Sequence, residues 1–160
     1  MGFFYINNTM PNFLNPSSFV LQLDSQTYSG AEFTVQSMTI PDLTTEGALI
    51  SYQQVNAAMA SDKIVYGAFE VSYLIDEDLL NYKEIHDWMK GNVESNHKAH
   101  NHVRDITLTI MNSANNVTKQ IKFVDAYPTP LSSLPFDITI DDVEYLTAVV
   151  SFSYSYYEFV

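Results

Sequence analysis

Apolar and polar residues alternate along most of this chain. Phe69, Val71, Tyr73 and Ile75 alternate with Ala68, Glu70 and Ser72, the period of two that marks a half-buried strand. Phe19, Leu21 and Leu23 share one face of an earlier strand, and Ile106, Leu108 and Ile110 alternate with Thr107 and Thr109 in a later one. A turn cluster at 112–116 joins that strand to 117–124 as a hairpin. The closing stretch, 145–157, sets Leu146, Ala148, Val150, Phe152, Tyr154 and Tyr156 against Thr147, Val149, Ser151, Ser153 and Ser155. A row of small hydroxyls opposite an apolar row predicts a long strand with one buried face and one that meets water or another subunit. A further strand covers 32–40; its pattern slips between Val35 and Met38, the mark of a bulge, and Pro41 ends it. The prolines at 128, 130 and 135 make 127–135 an extended connection leading to a short apolar run at 136–140.

One stretch changes period. After the strand ending near Ile75, the triplet Asp76, Glu77, Asp78 marks a helix start, where carboxylates can accept from first-turn N–H groups and favour the positive end of the dipole. Leu79, Tyr82, Ile85 and Met89 then form a stripe at spacings of three and four, with Trp88 beside it. Lys90 and Gly91 supply a last-turn cation and a permissive C′ residue, so the helix is expected over about 78–90. Everything around it reads as strand, which makes the fold mainly β.

Two segments do not build a core. In 44–62, the run 49–55 reads as a strand that, with 64–66, makes a long hairpin reaching away from the body; a short helical turn through Ala57, Ala58, Met59 and Ala60 is the competing local reading. Protrusions of this kind are mobile or functional. The first fifteen residues form an arm with aromatics at Phe3, Phe4 and Tyr5, followed by turn residues Asn7, Asn8 and Pro11; such an arm is disordered or docked on a neighbour. Residues 16–160 make one domain, and a chain of 160 residues buries roughly 70% of its unfolded surface without staples.

Composition sharpens this. Eleven Tyr and ten Phe against seven Lys plus Arg favour a sheet-rich protein. The net charge of −12 keeps the chain soluble and opposes binding to phosphate backbones, yet it suits a wall that DNA passes without sticking. There is no cysteine, so neither disulfides nor thiolate chemistry arise. No secretory signal and no stretch of transmembrane length is visible.

Candidate chemistry is sparse. His97, His100 and His102, with His86 upstream, have spacing that can gather two or three imidazoles on a metal, although no H-E-x-x-H pair stands on a helix; a solvated polar loop is the plainer reading. The 76–78 triplet is explained by the helix start, and Asp141 and Asp142 by a turn. No nucleophile elbow, phosphate loop or dinucleotide fingerprint is present, and only five glycines. Nothing supports an enzyme or a cofactor.

In order, the pieces FTVQSMTIP at 33–41, the strand–helix FEVSYLIDEDLLNYKEIHDWM, the hairpin DITLTIMNSANNVTKQIKF, the stretch DAYPTPLSSLPFDI and the closing AVVSFSYSYYEF resemble the tail tube proteins of contractile-tailed bacteriophages, relatives of the type VI secretion tube proteins. The resemblance covers about residues 17–159; the arm 1–15 departs from it. It implies a small β-barrel or sandwich of two packed antiparallel sheets flanked by one helix. It further implies edge-joined hexameric rings that stack into a hollow conduit for genome delivery in a virion, made in the host cytoplasm. The implied partners are sheath protein, baseplate and tail-terminator proteins, and genomic DNA passing unbound. The protruding segment (Leu49, Ile50, Tyr52, Val55, Met59) and the arm (Phe3, Phe4, Tyr5) are where contacts between subunits or rings are expected. Within the class, a baseplate tube initiator or a type VI tube protein is the alternative. Outside it stand a metal-binding module on the histidines and a carbohydrate-binding β-sandwich using surface aromatics.

Overall fold

The computed structural model describes residues 14, 16–23, 34–52, 55–59, 63–94, 103–139 and 145–160, with the backbone alone at 48–52 and 55–59. Seven strands form two antiparallel sheets: β1 (Phe19–Leu23), β2 (Val35–Met38), β7 (Phe69–Leu74), β8 (Arg104–Met111), β9 (Val117–Leu131), β10 (Thr147–Ser153) and β11 (Tyr156–Phe159). The first sheet runs β1–β8–β9–β11 and the second β9–β10–β7–β2, so β9 belongs to both. The sheets do not close into a barrel, because β1 and β2 stand at the two ends of the strand order. Among the described residues the architecture is a sandwich with a single helix, α1 (Leu80–Glu94), between β7 and β8.

Strand β9 changes sheets at a bulge. Ile106 lies opposite Phe123 while Arg104 lies opposite Ala126, which leaves one extra residue on β9. Asp125 takes a left-handed backbone (φ 55°), a conformation that Asp tolerates better than most residues. The insertion switches the buried set from Ile121 and Phe123 to Ala126 and Pro128. The Asp125 N–H donates to Asp105 Oδ1 at 3.3 Å, and the Ser155 N–H donates to the Val124 carbonyl at 3.0 Å. Beyond this corner β9 has only β10 beside it, which explains how Pro128 and Pro130 fit in a strand rather than in the connection expected from sequence.

The same corner splits the closing strand. One continuous strand over 145–157 was the expectation; instead β10 ends at Ser153, the chain bends at Ser155, and β11 pairs with the other half of β9. The bend reverses the alternation, so Tyr157 packs against the core and Tyr156 faces out. The bulge expected in the second strand is present, as a register shift between Val35 and Ser37.

The core lies between the sheets. Leu21, Leu23, Ile106, Leu108, Ile121 and Phe123 come from the first sheet and meet Phe69, Val71, Tyr73, Val150 and Phe152 from the second. Phe69 is central, with ring centroids 4.3 Å from Phe123 and 5.2 Å from Phe152.

The helix differs from its expected bounds of about 78–90. The acidic triplet precedes it in a turn, Leu79 has φ 56°, and the first helical residue is Leu80. It runs through Gly91 to Glu94, with Lys90 and Glu94 paired at 3.4 Å across the glycine. Its buried line is Asn81, Ile85 and Trp88, flanked by Tyr82 and Met89, while Leu79 precedes the helix and is 38% exposed. Asn81 is fully buried and tied to three elements: its amide donates to the Leu74 carbonyl (2.7 Å) and Thr34 Oγ1 (3.3 Å), and its Oδ1 accepts from the Asp76 N–H (3.3 Å). A polar residue at the centre of the helix's inner face is tolerated because every bond it needs is supplied.

Candidate assembly surface

Between β2 and β7 the chain leaves the sandwich as a long ribbon. β3 (Leu43–Thr45) pairs with β6 (Ile64–Tyr66), and β4 (Ala48–Tyr52) pairs with β5 (Val55–Met59), each pair forming a separate two-stranded sheet. A long protruding hairpin is therefore observed, but with other partners than expected: the strand expected over 49–55 turns back after Tyr52 and pairs with Val55–Met59, 64–66 pairs with 43–45, and Ala57, Ala58 and Met59 stand in a strand rather than a helical turn. The ladder places Tyr52 opposite Val55, Ile50 opposite Ala57 and Ala48 opposite Met59. Ile50, Tyr52, Val55 and Met59 thus share one alternate set of ladder positions; Leu49, opposite Ala58, falls in the other. Phe3, Phe4 and Tyr5 lie outside the described residues, as do His97, His100 and His102.

The root of the ribbon is built from close contacts. The Gly67 N–H donates to the Asp42 carbonyl at 3.1 Å, and a Cβ on Gly67 would run into the Asp42 carboxylate. Its backbone is not left-handed, so what a larger residue would meet here is the exposed Asp42 side chain, which can turn into water, and not a conformational barrier. Tyr66 stacks edge-on against Tyr154 (6.0 Å) and Tyr157 (5.5 Å), which joins the ribbon to the aromatic end of the core. Burial, with Tyr157, Tyr66 and Asp42 nearby, pushes the Tyr154 phenol up to about 12.

Above the root, Leu43, Ile64 and Val65 are exposed although all three stand in paired strands. These stem residues belong with the surface already expected on the ribbon; their signal was apolar content in a two-stranded element that has no second layer. A second exposed apolar group lies on the connection after β9, where Phe136 and Ile138 face outward and the Thr139 N–H and hydroxyl both donate to Asp137. The run 136–140 was expected as an apolar segment, but not as an exposed one.

The outer face of the second sheet carries the expected hydroxyls. Thr147 and Val149 are exposed, whereas Ser151 is buried, its hydroxyl donating to Glu70 Oε1 at 3.3 Å and its carbonyl accepting from the Thr129 hydroxyl. Among the described residues no group of three or more His, Asp or Glu is placed to hold a metal ion. The described helix is not long and apolar enough to cross a membrane.

The chain has the fold of the tube proteins of contractile injection systems. It is similar to a chain of the sheath–tube complex of an extracellular contractile injection system, PVC, in its extended state, at 14% identity, TM-score 0.71, and coverage of 94% of this chain and 93% of that one. It is also similar to a chain of the tube-terminating cap of the anti-feeding prophage, at 13% identity, TM-score 0.70, and coverage of 100% and 99%. Hcp1 from Flavobacterium johnsoniae matches at 18% identity, TM-score 0.54, and coverage of 92% and 94%. No family model and no curated protein matches the chain by sequence.

Proposed function

We propose that this protein is a structural, non-catalytic subunit of the tube of a contractile injection machine, and specifically of a phage tail. It forms hexameric rings that stack into a conduit for the genome within a contractile sheath. The observation that carries this reading is the separate ribbon 43–66 on a sandwich that has the tube fold end to end. Ring stacking is a head-to-tail contact that propagates because it does not close on itself. Leu49, Ile50, Tyr52, Val55 and Met59 on the ribbon and Phe3, Phe4 and Tyr5 on the arm supply the contacts between subunits. The net charge of −12 supports a wall along which DNA slides without binding. Sheath, baseplate and terminator proteins are the remaining partners.

Negative-stain microscopy of the purified chain tests this. Hollow tubes or sixfold rings are expected, and a variant lacking residues 44–62 keeps its fold and makes rings that do not stack. Unchanged tubes from that variant would remove the ribbon from the stacking contact; a monomer that ignores a preformed tube end would remove the tube reading itself. A second reading is favoured by the cap, to which this chain is as similar as to the sheath–tube complex: a protein at one end of the tube. Rings that join a tube end and stop there would identify it.

A further inference from the structure

One face of the ribbon stem continues the aromatic end of the core. In the β3–β6 ladder Leu43 lies opposite Tyr66 and Thr45 opposite Ile64, so these four share a face, while Thr44 and Val65 share the other. Tyr66 rests edge-on against Tyr154 and Tyr157. Beyond it Leu43 and Ile64 are 49% and 55% exposed, and neither strand contains a charged residue. The stem thus forms an uncharged apolar shelf. A second exposed apolar pair lies elsewhere. After β9 the connection is fixed at Ser132: its N–H donates to the Val149 carbonyl (2.9 Å), its hydroxyl accepts from the Val149 N–H (2.9 Å), and its carbonyl accepts from the Tyr82 hydroxyl (3.1 Å). Phe136 and Ile138 then face outward beside the turn that Thr139 makes with Asp137. Because β9 is antiparallel to β10, the chain leaves it heading away from Tyr154, so pair and shelf lie towards opposite ends of β10.

We infer that Phe136 and Ile138 of one copy seat on the shelf of Leu43, Ile64 and Tyr66 of a second copy. The two surfaces sit at different ends of the same chain, so the contact is head-to-tail and propagates from copy to copy. Charge selects the same pairing. Copies of net charge −12 repel each other, and contact is least opposed where apolar side chains meet an uncharged face without desolvating an ion. Asp137, the one carboxylate in the turn, is exposed and accepts both Thr139 bonds, so it stays at the rim in water. The Ser132 bonds and the turn hold the pair before it docks, which limits the ordering cost of association. Both sides offer an aromatic ring, Phe136 and Tyr66, the kind of residue that anchors interfaces. The inference rests on the assembly reading and names, within it, the surface of the neighbour that the ribbon stem meets.

The absence of native cysteine allows a direct test on the full chain. Chains carrying Ile138→Cys and chains carrying Ile64→Cys are mixed at the highest soluble concentration and treated with a short bifunctional maleimide. Val93→Cys, at an exposed site on α1, replaces Ile64→Cys to measure random collision. The mixed 138–64 product is expected to form several-fold faster than the 138–93, 138–138 or 64–64 product. Adding Phe136→Ser to the Ile138→Cys chain is expected to bring it down to the collision rate. A single chain with both Ile64→Cys and Ile138→Cys is expected to give a ladder of multimers. All four positions are exposed, so the variants keep the fold. A 138–64 rate equal to the collision rate overturns the inference, as does a fast product that Phe136→Ser leaves unchanged, or a link closed within one chain of the double variant. Rings or tubes without a preferred 138–64 product remove this contact and leave the assembly reading standing. A preferred product from chains that form neither ring nor tube keeps the contact and removes the assembly reading.

Discussion

The sandwich and the ribbon are both antiparallel β structure with alternating apolar residues, yet they are held together differently. In the sandwich, each inward side chain meets a second layer: Phe69 of one sheet lies on Phe123 of the other, and α1 brings Ile85 and Trp88 to the same core. In the ribbon stem, Leu43, Ile64 and Val65 have a cross-strand partner but no second layer, and they are exposed. An isolated two-stranded ribbon is marginally stable in water, so this one depends on its root. Alternation announces a strand in both regions; only a facing layer turns the alternation into burial.

The largest test of this contrast is Phe123→Ala. The side chain is fully buried between the sheets, and its loss should cost about 3–5 kcal/mol. Urea unfolding should show a lower midpoint with an unchanged slope. A loss under about 1 kcal/mol, the level of an exposed surface change, would show that the two sheets do not depend on each other there. Next is Asn81→Leu, which strands the Leu74 carbonyl and the Asp76 N–H in a partly buried site and should cost about 1–3 kcal/mol by the same measurement. An unchanged midpoint would mean that the polar tie between β7, α1 and the start of β2 is replaceable by packing.

Gly67→Val acts on the root instead. Its side chain must displace the exposed Asp42 carboxylate, which can turn into water, at a cost of about 0.5 kcal/mol. Because the ribbon is a separate unit, hydrogen exchange should accelerate in Leu43–Thr45 and Ile64–Tyr66 while β9 amides stay protected. Equal acceleration in β9 would erase the distinction between the two regions. The smallest effect is titration at the join. Tyr154 is held above its ordinary value of 10.0, at about 12, so between these values an unfolded chain releases the proton that the folded chain keeps. Stability therefore falls as pH rises from 10 towards 12, and Tyr154→Phe should fall less steeply over that window. Parallel curves would show that the phenol is not buried by the Tyr66 and Tyr157 contacts.

Much of this was legible in the residues. The faces Phe69–Val71–Tyr73, Leu21–Leu23 and Ile106–Leu108 follow from period two and are all buried. The β2 bulge announces itself as a phase slip, and the ribbon as a paired segment without a core pattern. The corner in β9 leaves a similar mark, because Ile121 and Phe123 are odd positions and the next buried residue, Ala126, is even. Proline at 128 and 130 obscured it. The helix boundary was misplaced for a different reason: carboxylates at 76–78 suit a first turn, but the left-handed Leu79 and the Asn81 bond to the Asp76 N–H keep them in the turn before it.

The sequence by itself determined the class, one helix among strands, and the inward residues of most strands, because alternation is a local property of a pleated backbone. Only the tertiary structure decided that β9 serves two sheets, that the closing strand breaks to follow it, and that Asn81 rather than an apolar residue stands at the centre of the helix's inner face. It also decided that β1 and β2 stand at the two ends of the strand order and that Gly67 lies against Asp42. Each of these depends on residues far apart in the chain arriving at the same place, and no periodicity in a single segment encodes which partner a strand edge or a buried amide will meet.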